Sequence, residues 1–189
     1  MNIMELHRRA VEDFAQRVQQ ISIDQWTGPT PCSEWDVRAL VNHLVYEERW
    51  TKPLVDGKTI EEVGSEFEGD LLGDDPLGAF AASSAEAVTA VDAKVPDGGT
   101  VQLSFGETPI DEYVMQLTAD HLVHGWDLAA ATGQNRILDA ELVAAVGAWF
   151  APQEELWRQA GAIADRTDAG GDPQSDLLSA YGRDPDWEA

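Results

Sequence analysis

Basic residues are scarce. Lysine and arginine together number 12 against 35 acids, for a formal charge of −23, and between Lys58 and Arg136 the one basic side chain is Lys94. So acidic a surface repels phosphate backbones and anionic lipid, which excludes nucleic-acid binding and membrane-surface roles. The sole cysteine, Cys32, excludes an internal disulfide framework and a cysteine-rich zinc site. No apolar run approaches the roughly 20 residues of a membrane span, and the N-terminal stretch has no signal-peptide core. These absences predict a soluble cytoplasmic protein. A phosphate-cradling glycine loop, a nucleotide fingerprint, a Ser-His-Asp elbow and internal repeats are missing as well. The acids name no substrate by themselves, because net charge speaks to solubility and association rather than to a site.

What is present is material for a core. With 189 residues, 43% of them hydrophobic, and seven tryptophans, the chain suffices for one domain over 1–189. Leu6, Ala10, Phe14, Val18 and Ile21 predict a first helix over 3–21, with His7 as an exposed or edge histidine. The Thr-Gly-Pro-Thr-Pro stretch at 27–31 stops the pattern. Ser33 as N-cap and Asp36 three residues on predict a second helix from about Glu34 to Thr51. Its inner face carries Leu40, His43, Leu44, Glu47 and Trp50. Cys32 reads as a small apolar plug at the helix entry.

Residues 52–75 read as a glycine-punctuated acidic loop over one end of the bundle, with one short helical turn around Ile60 to Phe67 and with 56–75 as a candidate lid. A third helix is predicted from Pro76 to about Lys94, followed by a short extended hairpin or arm before the fourth helix, with Thr100–Phe105 alternating like a strand. Thr108 as cap and Pro109 at the first position open a fourth helix ending near Gly133. A fifth runs from Asp139 to about Ala160, interrupted near Pro152. After a glycine- and aspartate-rich stretch over 165–173, a short helix is expected around Leu177, Leu178 and Tyr181. The fold class is therefore all-α: a four-helix bundle over about 3–133 with a helical extension over about 139–189. Trp157 and Trp187 either mark a homodimer contact or lie against the bundle.

The organising stretch is Asp120-His121-Leu122-Val123-His124 on the fourth helix. At about 100° per residue, Asp120 lies roughly 40° to one side of His124 and His121 roughly 60° to the other. An acid and two imidazoles thus enter the core on the apolar stripe, where they require partners. In a bundle, His43 of the second helix can meet Asp120 and His124. Three N/O ligands leave a position open for water or substrate, as in a catalytic zinc site. His121 replaces Asp120, joins as a fourth ligand, or acts behind the ligands. The alternative is a dry core in which His43, His121 and Asp120 bond one another.

The segment Thr30-Pro31-Cys32-Ser33-Glu34-Trp35-Asp36-Val37-Arg38-Ala39-Leu40-Val41-Asn42-His43-Leu44 resembles a signature of the mycothiol-dependent maleylpyruvate isomerase N-terminal family, a branch of the DinB-like metal-binding bundles. His124-Gly125-Trp126-Asp127-Leu128-Ala129 resembles its second signature. Gly182-Arg183-Asp184-Pro185-Asp186-Trp187 resembles the end of its short single-domain members. The resemblance implies a divalent metal, zinc foremost, held by His43, Asp120 and His124. The isomerase carries glutamate where this chain has Asp120, so the shorter acid keeps His121 open as a substitute. The isomerase also has a further C-terminal domain for which this chain has too little length, so its reaction is not carried over. What the resemblance implies instead is a zinc- and thiol-dependent S-transferase or isomerase. It would take a low-molecular-weight thiol such as mycothiol and an electrophile, with Glu47 or His121 handling the proton. A non-catalytic metal- or ligand-binding bundle is the competing expectation.

Overall fold

The computed structural model describes residues 1–168 and 171–188. Positions 169 and 170 of the glycine- and aspartate-rich stretch lie outside the described residues. The elements are α1 (Ile3–Val18), α2 (Val37–Val55), α3 (Ile60–Val63), α4 (Pro76–Lys94), β1 (Thr100–Leu103), β2 (Gly106–Pro109), α5 (Ile110–Thr132), α6 (Ala140–Phe150), α7 (Glu154–Gln159) and α8 (Pro173–Ala180). Helix α1 packs on α5 and α4, and α2 packs on α4 and α5. The four long helices thereby close the expected DinB-like bundle.

Helix α2 begins later than the Ser33 cap predicts. The N-cap is Asp36, whose carboxylate accepts from the Ala39 amide at 2.8 Å. Residues 32–35 form a turn instead, because Val37 and Arg38 donate to the carbonyls of Gly28 and Trp26 at 3.0 and 2.9 Å. The preceding loop thus satisfies the first amides that a helix leaves open. At the other end α2 runs through Pro53 to Val55, since a proline in the last turn forgoes only one ladder bond.

The extended arm is one strand of a hairpin. Strand β2 pairs antiparallel with β1, Val101 opposite Thr108. Thr108 therefore lies in the strand, and α5 starts from Pro109 with no side-chain cap. Helix α5 is buried along most of its length, as the central element of a bundle must be.

The acidic loop is fastened to α2 rather than draped loosely. The Asn42 amide donates to Gly69 O at 3.0 Å and accepts from the Leu71 amide at 2.7 Å. Leu72 joins Phe14, Leu40 and Phe80 in the core. The predicted break near Pro152 is present between α6 and α7. Helices α6 and α8 cover a second apolar cluster around Trp126 and Phe150, against which Trp157 and Trp187 are half-buried.

Candidate metal centre

Helices α2 and α5 bring His43, Asp120 and His124 together. His43 Nε2 lies 3.0 Å from Asp120 Oδ2, and His124 Nε2 lies 3.3 Å from Asp120 Oδ1. One donor atom from each residue falls within 4.8 Å of the other two. Ligands about 2.0 Å from a tetrahedral ion stand roughly 3.3 Å from one another, so two imidazoles and a carboxylate at these separations fit a divalent cation. Trp35 covers both rings, its centroid 4.7 Å from that of His43 and 5.5 Å from that of His124.

Glu47 stands one turn beyond His43. With His43, Tyr113, Gln116, Asp120 and Trp157 it bounds a cavity of about 190 Å³. Burial, then the Asp120 charge, pushes the Glu47 carboxyl up to about 7. Burial works in the same direction on Asp120, but the imidazoles of His43 and His124 outweigh it and hold that carboxyl well below the usual range. Two neighbouring acids are thus driven apart, one ionised and one able to exchange a proton near neutrality.

Behind His124 lies a group of residues that spacing alone does not assemble. Asp127, fully buried, accepts from His124 Nδ1 at 2.9 Å. Arg183, from the segment after α8, donates to the same carboxylate at 2.9 Å and to Cys32 Sγ at 3.0 Å. The Cys32 thiol donates to Asp127 at 3.2 Å. Cys32 is therefore not an apolar plug; it is the third polar group around Asp127. The signal for Asp127 was its place three residues after His124 on a helix without an exposed face.

His121 does not join the cluster. Its Nδ1 donates to Leu117 O at 2.8 Å and its Nε2 stands 3.1 Å from Glu48 Oε1. Burial works against the imidazolium, but Glu48 outweighs it and holds His121 above its ordinary value. Both ring nitrogens are engaged inside the core, and no group of three candidate ligands among the described residues includes His121. Glu48 also accepts the hydroxyl of Ser83 on α4. Sequence reasoning passed over Glu48, although its place four residues after Leu44 puts it on the apolar stripe. His7 is buried as well, at 1% exposure, with its ring 6.0 Å from His121, contrary to the expected edge position. A ring on the side of α1 that faces α5 has no route to water.

The sequence profile of the mycothiol maleylpyruvate isomerase N-terminal domain matches residues 7–129, the span that holds α1, α2, α4 and α5. The chain belongs to this family. Two uncharacterized proteins from two strains of Mycobacterium tuberculosis are each 37% identical to it over 164 residues, covering 81% of this chain and 82% of theirs. The crystal structure of a mycothiol-dependent maleylpyruvate isomerase superposes with a TM-score of 0.65 at 16% identity, over 84% of this chain and 71% of that one. A mutant of a mycothiol-dependent maleylpyruvate isomerase gives 0.64 at 14% identity, over the same shares. These likenesses establish the DinB-like isomerase-domain fold. Trp157 at the cavity and Arg183 behind His124 both lie beyond the matched span. The C-terminal segment of this family member thus completes the surroundings of the site.

Among the described residues no helix is long and apolar enough to cross a membrane.

Proposed function

We propose that this protein is a cytoplasmic, single-domain enzyme that holds a divalent metal, zinc foremost, and uses a low-molecular-weight thiol such as mycothiol in an S-transfer or isomerisation reaction. The observation that carries the reading is the convergence of His43, Asp120 and His124, the first two of which also line a cavity that contains Glu47. His43, Asp120 and His124 would hold the ion. When bound, it would supply thiol activation, lowering the thiol pKa so that the thiolate is available at neutral pH.

The remaining roles fall to the chain itself. Glu47, its carboxyl near 7, accepts the thiol proton and returns one to the product. Burial works against the His124 imidazolium, but Asp120 at Nε2 and Asp127 at Nδ1 hold it well above its ordinary value; with an ion bound, the Nε2 proton would be displaced while Asp127 keeps its bond from Nδ1–H. Trp35 shields both imidazoles from water on one side. His121, with both nitrogens occupied, ties α5 to Glu48 of α2.

The test is turnover of an activated electrophile by zinc-loaded protein with mycothiol, with the thiol omitted, and after metal removal with a chelator. Turnover that needs both thiol and metal is the expected result. Stoichiometric metal with no thiol-dependent turnover would instead identify a binding bundle.

A further inference from the structure

His43 lines two cavities, and among the described residues neither is lined by a lysine or arginine. One is the space of about 190 Å³ bounded by Glu47, Gln116, Asp120 and the rings of Tyr113 and Trp157. The other, about 360 Å³, is lined by His43 together with Glu68, Trp35 and Tyr46. Two of the arginines on neighbouring segments are engaged elsewhere. Arg38 donates to Asp70 and to Gly73 O, and Arg183 donates to Asp127 and Cys32. Arg49 stands beside Glu48 and lines neither cavity.

A carboxylate entering either space would leave water without gaining a cationic side chain, and it would face the carboxyl groups of Glu47, Glu68 and Asp120. An ion at His43, Asp120 and His124 would bring two positive charges, of which Asp120 would offset one and the bound thiolate of the proposed reaction the other. What the walls do offer is aromatic surface on both sides and the Gln116 amide. Flat, uncharged molecules gain most from such walls.

We propose that the electrophile this site takes is an uncharged, planar molecule and not a carboxylate anion, an inference that rests on the thiol-dependent reading above. Glu68 and Gln116 are its specificity-determining residues, the first by repelling anions at an exposed rim and the second by providing a neutral polar contact.

The test is a binding measurement on zinc-loaded protein at low ionic strength. Two unreactive flat probes that quench tryptophan, 1,3-dinitrobenzene and 3-nitrobenzoate, differ by one nitro group against one carboxylate. Quenching through Trp35 and Trp157, corrected with a Trp35→Phe/Trp157→Phe control, reports occupancy without any turnover. The expected result is about tenfold tighter binding of the neutral probe, since a like charge at an unpaired site is costly. Gln116→Arg narrows the gap; should that protein fail to fold, Glu68→Lys on the exposed loop serves instead. Equal or tighter binding of 3-nitrobenzoate overturns the inference, and so does failure of both probes to bind. A neutral preference without thiol-dependent turnover would retire the proposed activity alone. Turnover with the anionic probe preferred would retire only the inference about charge.

Discussion

Asp127 accepts the Nδ1 proton of His124 at 2.9 Å, and Arg183 grips the same carboxylate at 2.9 Å from the end of the chain. A carboxylate behind a ligating imidazole fixes the ring and raises its basicity, and losing such a partner costs about 10–100-fold in metal affinity. Asp127→Asn should therefore weaken zinc binding by that order, measured by competition with a chromophoric chelator. Helical content by circular dichroism should stay near that of the parent, which separates a loosened ligand from an unfolded chain.

His121 and Glu48 form a buried pair at 3.1 Å, and both side chains are almost without exposure. Removing one partner of such a pair leaves an uncompensated charge, at a cost of about 3–5 kcal/mol. His121→Ala should lower the denaturant midpoint accordingly while keeping its metal. Loss of metal at unchanged stability would return His121 to the ligand set.

His7 gives the protein a stability slope in mild acid. Burial first, then the neighbouring His121 and Arg8, lowers its pKa from 6.5 to about 3, and its Nε2 has no hydrogen-bond partner. The unfolded chain binds a proton below about 6.5 that the folded chain refuses until about 3. The stabilisation is complete above 6.5 and declines as the pH falls, by about 2 kcal/mol between pH 7 and pH 5. Urea melts at those two pH values should show the decline, and His7→Leu should reduce it by about that amount.

These contrasts mark what a chain reveals before it is folded. The long helices were legible because their apolar residues repeat at helical spacing, and α2 and α5 announced the site by carrying imidazoles and acids on that same stripe. The start of α2 was not, because Ser33 and Asp36 are equally good caps until the carbonyls of Trp26 and Gly28 choose between them. Whether a hairpin or a lone arm precedes α5 stayed open, because the four residues of β2, with one buried side chain, carry no alternation of their own. Around the site, His43, Asp120 and His124 were legible. Arg183 was not placed there, since its partner lies 56 residues away and only the fold of α8 delivers it.

Glu47 bounds the cavity with a carboxyl near 7 and without a bond to either imidazole of the cluster. Glu47→Gln keeps its size and removes its proton exchange. Turnover should fall by roughly 10²–10⁴-fold with metal content unchanged. A fall confined to KM would make Glu47 a binding group instead.

The central claim is that His43, Asp120 and His124 hold one divalent ion. Metal content by plasma mass spectrometry on untagged protein, beside His43→Ala, Asp120→Ala and His124→Ala, tests it most directly. The account predicts near-stoichiometric zinc or another divalent ion in the parent and its loss in each of the three variants. Full metal content in any variant, or no metal in the parent after incubation with zinc, would contradict it.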